Sequence, residues 1–218
     1  MRRWVLEQGA AEMSQITDLP KLVLGRLSQK ITLLESEVAA RREAADGTTK
    51  ILLKLRDGET IEVVRMKGTS TATACISTQV GCPMACAFCA SGLNGLVRNL
   101  ETHEILEQVV RARQIGPIGR IVVMGIGEPL LNLEALLGAL DVVTAPDGIA
   151  LSGRKITIST IGLPDRIRNS RKPTNRTPSR SPPRADRRAP QRAHPDGEKG
   201  DDRFFACLGA RVLPRDGA

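Results

Sequence analysis

The chain has 218 residues, 41% of them hydrophobic, enough for the core of one ordinary domain or of a small domain plus part of a larger one. Its net charge is +8, yet it has one Trp, three Phe and no Tyr, too few rings for a protein that holds nucleic acid mainly by stacking bases on aromatic side chains. The charge is also uneven: residues 169–218 hold 12 of the 32 Lys and Arg but only 6 of the 24 Asp and Glu, so basicity says little about the rest of the chain. No apolar run approaches the roughly 20 residues of a membrane span. Glu7 breaks the opening apolar run before a signal-peptide core can form. Three of the five cysteines fall within eight positions, a pattern of metal ligation in a reducing compartment rather than of a disulfide framework. The expectation is a cytoplasmic protein with no membrane segment.

In chain order, apolar residues from Trp4 to Leu27 recur at helical spacing up to about residue 34, with Pro20 dividing two short helices. From residue 49 the period shortens. Ile51, Leu53 and Leu55 alternate, Asp57 and Gly58 mark a tight turn, and Ile61, Val63 and Met66 follow, which predicts a β-hairpin. Residues 1–70 thus read as a small α+β accessory domain. A strand over 71–78 then leads into the cysteine loop, followed by a helix from 102 to about 115, a strand at 121–124, a helix carrying Leu133, Leu136, Leu137 and Leu140, and a strand at 155–159. Strands alternating with helices predict parallel βα units over 71–168, with too few strands to close a barrel. Between 169 and 203 there is no Ile, Leu, Val, Met or Phe, and Pro, Arg, Ala and Ser dominate. Such a stretch cannot bury enough apolar surface to offset its ordering entropy, so residues 169–218 read as a disordered basic tail, a linker or an out-of-frame translation.

Cys82, Cys86 and Cys89 form a C-x-x-x-C-x-x-C loop with Phe88 before the last cysteine. Three thiolates in one loop suit three corners of a 4Fe-4S cubane and leave the fourth iron open. An open iron is a Lewis acid to which the amino and carboxylate groups of S-adenosylmethionine (SAM) can chelate. The competing reading is structural zinc, with Cys75 or His103 as fourth ligand. Gly125, Gly127, Glu128 and Pro129 follow the second predicted strand. They suit an ordinary helix start, but they also suit a backbone approaching a ligand at the carboxyl end of a parallel strand, with Glu128 accepting the SAM ammonium. Ser159 and Thr160 close the third strand and are either a solvated terminus or a SAM contact. Glu62 faces away from Ile61 and Val63 by alternation, and most such glutamates are simply solvated.

Taken together, these motifs resemble the RlmN/Cfr family of radical SAM methyltransferases, which act on large-subunit ribosomal RNA. The resemblance is carried by CISTQVGC at 75–82, Cys86, Cys89, GLVRNL at 95–100, MGIGEPLLN at 124–132 and TIST at 157–160. The hairpin stretch LRDGETIE at 55–62 is similar to the family's accessory domain. The resemblance implies a partial radical SAM (β/α) barrel behind a small α+β domain. It implies cluster ligation by Cys82, Cys86 and Cys89, SAM contacts from Gly127, Glu128 and Ser159, a general base at Glu62, and a role for Cys75 in resolving a protein–RNA crosslink through a disulfide.

The reaction so implied is methylation of carbon 2 of an adenine in 23S rRNA and in some tRNAs through a methylated cysteine, with 4Fe-4S and SAM as cofactors. A reductant protein such as a flavodoxin would supply electrons, and the enzyme would be a monomer. The resemblance ends near residue 168. The later barrel strands and the methyl-accepting cysteine are missing, and Cys207 lies in the wrong context for that role, so the chain reads as an incomplete copy. A carbon-8 methyltransferase of the Cfr type and a non-catalytic iron–sulfur or zinc-binding fragment are the alternatives.

Overall fold

Strands with alternating apolar residues and helices with an apolar stripe can bury both only by stacking one layer on the other. That is the arrangement in the computed structural model, which describes residues 2–163 and the backbone of residues 184–185. The helical pattern at the start resolves into α1 (Arg2–Leu6), a single 3-10 turn at Met13–Gln15 and α2 (Lys21–Ser28), which begins directly after Pro20. The hairpin forms as read, from β2 (Thr49–Lys54) and β3 (Thr60–Met66), with Asp57 and Gly58 in the turn. Outside it lies β1 (Glu37–Glu43), which the sequence pattern did not reveal: all seven of its residues are exposed, so it has no apolar alternation to detect.

The predicted strand at 71–78 is shorter as a ladder element, β4 (Ala72–Cys75), and the extended chain beyond it runs into β5 (Gln79–Gly81). β6 (Leu96–Asn99) returns antiparallel to β5, so the two make a separate ribbon that closes the base of the cysteine loop. α3 (Thr102–Ile115) has the predicted limits. It starts on a capping box, in which Glu101 and Glu104 each take a backbone donor of the other's turn. β7 (Ile118–Val123), α4 (Leu133–Thr144) and β8 (Ile156–Ile158) complete two parallel βα units. A further two-residue strand, β9 (Arg184–Ala185), pairs parallel with β8. The rest of the predicted tail, 169–218, lies outside the described residues.

The main sheet has the order β1-β2-β3-β4-β7-β8-β9. The hairpin is therefore not a detached unit: β3 pairs antiparallel with β4, so accessory and parallel strands form one sheet. Ile61, Val63, Ala74, Ile121, Val123, Ile156 and Ile158 share one core with Ile105 and Val109 of α3 and Leu136, Leu140 and Val143 of α4. The alternate residues Val64, Cys75, Val122 and Thr157 lie side by side on the other face. No described helix is long and apolar enough to cross a membrane.

Candidate active site

Parallel strands gather their carboxyl ends at one edge of the sheet, and α/β folds place ligands there. The segments leaving β4, β7 and β8 at that edge carry almost every residue singled out above. Hydrogen bonds outside the regular ladder lock these segments together. Ile76 N donates to Val122 O (3.0 Å), Gly125 N to Ile76 O (3.1 Å), and Thr78 N to Ile126 O (2.9 Å). Such close passage of two backbones leaves no room for side chains. A Cβ on Gly125 would lie 2.8 Å from Ile76 O, and one on Gly127, whose φ is +106°, 2.7 Å from Gln79 Cβ. Both glycines thus serve the approach of the chain to itself, a constraint that precedes any ligand.

Side-chain amides then satisfy the backbone groups that the strands leave behind. Gln79 is fully buried, accepts from Glu128 N (2.8 Å) and donates to Asn99 Oδ1 (2.7 Å). Asn132 donates to Thr78 O (2.8 Å) and Leu100 O (2.7 Å). Gln108, also fully buried, pairs with both backbone groups of Ser77 (2.7 and 3.0 Å). Sequence reasoning missed Gln79, Asn99 and Gln108 as site-building residues. Gln79, Asn99 and Asn132 lie inside the motifs that carry the resemblance, the one signal available for them, whereas Gln108 lies outside all of them.

The cysteine loop springs from the β5–β6 ribbon, with Cys82 N bonded to Gly95 O (2.9 Å) and Cys89 N to Cys86 O (3.0 Å). Ala85 adopts left-handed backbone, φ 43°, immediately before Cys86. An L-residue takes that conformation at a cost of about 1–2 kcal/mol, so the surrounding loop imposes it. All three cysteines are partly buried. Burial pushes the Cys82 and Cys86 thiols above their ordinary range, and the charge of Cys89 nearby adds to it in both. The backbone N–H groups of Met84 and Gly127 act the other way at Cys82, which ties the cysteine loop to the glycine-containing loop. Thiolates this close repel one another and fit a polycation held between them. Among the described residues no three His, Cys, Asp or Glu side chains converge as a single ion requires. Of the two fourth ligands that the zinc reading offered, His103 faces Glu35 and Glu101, and Cys75 is buried at the end of β4. A cubane, in which each thiolate binds a different iron, needs no such convergence and fits this donor set.

Glu128 is 3% exposed, and its carboxylate accepts from Leu130 N (3.0 Å), Ile161 N (3.1 Å) and the Thr160 hydroxyl. Three of about four acceptor positions are thus taken, leaving one for a ligand donor. Thr160, rather than Ser159, makes this contact; Ser159 continues the ladder through its N–H to Val123 O (3.3 Å). The Thr78 hydroxyl is buried with no hydrogen-bond partner among the described residues, and a Cβ on Gly127 would lie 2.8 Å from it. Glu62 stands on the sheet face opposite Ile61 and Val63, half-exposed, paired with Lys50 Nζ at 2.9 Å. Its backbone carbonyl accepts from the Ser77 hydroxyl (3.0 Å), which in turn accepts from Ile126 N (3.0 Å). Ser77 therefore carries the hairpin to the edge where Gly127 and Glu128 lie.

Comparison with known proteins agrees with this architecture. Residues 76–172 match the Radical SAM superfamily. A probable dual-specificity RNA methyltransferase RlmN from Rhodopirellula baltica is 44% identical over 171 residues, covering 77% of this chain and 46% of the relative. The dual-specificity RNA methyltransferase RlmN of Syntrophotalea carbinolica is 44% identical over 162 residues, 74% of this chain and 44% of that protein. The crystal structure of a radical SAM methyltransferase from Sphaerobacter thermophilus superposes with a TM-score of 0.74 at 35% identity, covering 80% of this chain and 53% of that one. Residues 76–172 form a radical SAM region. Over the shared stretch its sequence is of the RlmN type, and it spans about half the length of the curated relatives it matches. In that region the partial barrel is formed by the parallel strands β4, β7 and β8, with the cysteine loop following the first of them.

Proposed function

We propose that this chain is the cluster- and SAM-binding part of a radical SAM methyltransferase that acts on carbon 2 of an adenine in 23S rRNA and in some tRNAs, through a methylated cysteine. The observation that carries the reading is a three-cysteine loop rooted on β5, where Gln79 holds the Gly127–Glu128 turn through Glu128 N at 2.8 Å, within a sequence 44% identical to a probable RNA methyltransferase. When bound, the cluster supplies the electron that cleaves SAM reductively. Cys82, Cys86 and Cys89 hold it. Glu128, with its one remaining acceptor position, and the backbone beside Gly127 and Ser159 orient the methionine end of SAM. Glu62, carried by the hairpin, takes the ring proton from the adduct of adenine with the methylene-carrying cysteine, and Cys75 attacks the sulfur of that adduct, so that an S–S bond forms as the S–CH2 bond breaks and the freed carbon takes a proton to become the methyl group of the product.

Residues 1–70 serve as the accessory domain and 71–168 as the core. The protein works as a cytoplasmic monomer reduced by a flavodoxin-type protein. No described cysteine is left to carry the methyl group. The test is anaerobic reconstitution with iron and sulfide, followed by SAM and a strong reductant. About four irons and four sulfides per chain and release of 5′-deoxyadenosine are expected, with both lost in Cys86→Ala. Stoichiometric zinc without sulfide would refute the reading. In an intact relative, methylation mapped to carbon 8 would replace the carbon-2 assignment.

A further inference from the structure

Arg98 lies on β6, the strand that returns from the cysteine loop, and its guanidinium has three destinations. Nη1 and Nη2 grip the two oxygens of Glu104 at 2.8 Å each, Nε reaches Asp57 Oδ2 at 2.6 Å, and Nη1 also donates to the backbone carbonyl of Asn99 (3.1 Å). Asp57 is the turn of the hairpin that carries Glu62, whereas Glu104 begins α3 and also accepts from Glu101 N at 2.8 Å. One planar, five-donor group thus joins the hairpin turn, the first turn of α3 and the root of the cysteine loop. The Arg98 side chain is 31% exposed and Glu104 10%, so this pair is sheltered enough to act as more than a surface ion pair.

We propose that Arg98 is a positioning residue, locking the hairpin that bears Glu62 onto the cysteine loop so that the two keep a fixed relation. The role of Glu62 rests on the function proposed above; the locking itself does not. β6 pairs with β5 through Arg98 opposite Val80, and Cys82 N bonds to Gly95 O at the mouth of the loop. Holding Arg98 therefore holds both ends of the segment from which all three cluster cysteines project. A lysine cannot reproduce it, because a compact ammonium lacks the planar fork that meets both oxygens of Glu104 while Nε meets Asp57.

The experiment compares the reduced chain with Asp57→Asn, Arg98→Lys, Arg98→Met and the double variant Asp57→Asn/Arg98→Met, by backbone hydrogen exchange and thermal unfolding. Asp57 lies on an exposed turn, so its variant is expected to unfold within about 2 °C of the parent. Exchange across residues 82–95, far from the substitution in sequence, is expected to rise about five-fold, the scale of one partly exposed charge-assisted hydrogen bond. The double variant should behave like Arg98→Met alone, because both substitutions cut one connection. Reconstituted Asp57→Asn should also lose iron to a chelator faster by a similar factor. Faster exchange confined to residues 55–60, or rising throughout the chain in step with a lower unfolding temperature, would overturn the proposal. A parent that takes up no iron and sulfide would overturn the cluster assignment instead, while loop exchange in the metal-free chain still decides the role of Arg98.

Discussion

Replacing Gly127 with Ala tests whether the loop after β7 is built by self-approach of the chain. Two costs add at this position. Its φ of +106° lies in the left-handed region, and an L-residue held there costs about 1–2 kcal/mol. The new methyl would lie 2.7 Å from Gln79 Cβ and 2.8 Å from Thr78 Oγ1. Relieving that overlap in a packed interior costs about 1–3 kcal/mol. Gln79 cannot withdraw freely, because its amide holds Glu128 N and Asn99 at once. The sum is about 2–5 kcal/mol, which for a chain of this size lowers the unfolding midpoint by roughly 5–15 °C. Gly58→Ala supplies the control. Gly58 has a φ of +91° with nothing within 4 Å of an added Cβ, so only the backbone cost applies and the shift should stay near 3–6 °C, at about 1–2 kcal/mol. Thermal unfolding by circular dichroism on both variants separates the two contributions. Equal midpoints for Gly127→Ala and Gly58→Ala would refute the packing argument.

Three further outcomes follow from the same geometry. Gln108→Leu keeps the side-chain volume but strips both backbone groups of Ser77 of their buried partner, so it should cost about 2–5 kcal/mol in urea unfolding; a loss under about 1 kcal/mol would mean that water replaces the amide. The Arg98 hydrogen bond holds the Asp57 carboxyl below its ordinary range; at Glu104 burial raises it, but Arg98 and Glu101 N outweigh that and the net shift is downward. Carboxyl groups depressed in the folded state stabilise it above the unfolded value of about 4 and stop doing so as pH falls through the folded value. The parent should therefore lose stability on acidification below about pH 4 more steeply than Arg98→Met does, and parallel pH profiles would contradict the pairing. Cys75→Ala should leave iron and sulfide content unchanged after reconstitution, since Cys75 sits at the end of β4 and outside the loop of Cys82, Cys86 and Cys89; loss of the cluster would make Cys75 a ligand.

The limits of α3 and the presence, though not the limits, of the hairpin and parallel strands were readable because each buries one face, and burial of one face is what imposes a period on sequence. β1 shows the converse. With every residue exposed it has no burial pattern, and only its pairing with β2 makes it a strand. The cysteine loop was legible from spacing alone, since ligands on one short loop need no tertiary information. Glu62 was legible in direction but not in company: alternation turned it away from the core, whereas its partner Lys50 depends on the register of β2 against β3. Glutamine and asparagine are usually exposed, so nothing in the composition marked Gln79 and Gln108 as fully buried connectors. The pair Ser159 and Thr160 was found, but which of the two reaches Glu128 is set by the backbone after β8, beyond what sequence periodicity can resolve.

The two kinds of residue at this edge of the sheet differ in what their loss exposes. Gln79 bonds to Glu128 N, Gln108 to both backbone groups of Ser77 and Asn132 to Leu100 O, groups outside the strand ladders, so removing any of the three side chains leaves a buried donor or acceptor unsatisfied. Their substitution acts first on the fold. Glu62 instead ends in a half-exposed ion pair, and burial together with the nearby charge of Cys89 raises the thiols of Cys82 and Cys86. Their substitution should leave the fold standing, with an unfolding midpoint close to that of the parent. Glu128 belongs to both groups, because its carboxylate caps the turn at Pro129–Asn132 and holds the strand exit at Thr160 while keeping one acceptor position open. Glu128→Gln replaces one of those acceptors by a donor that meets the N–H of Leu130 or Ile161, so a stability loss of about 1–3 kcal/mol should accompany any loss of SAM binding. Weakened SAM binding at unchanged stability would show that the carboxylate faces the ligand and does not serve the fold.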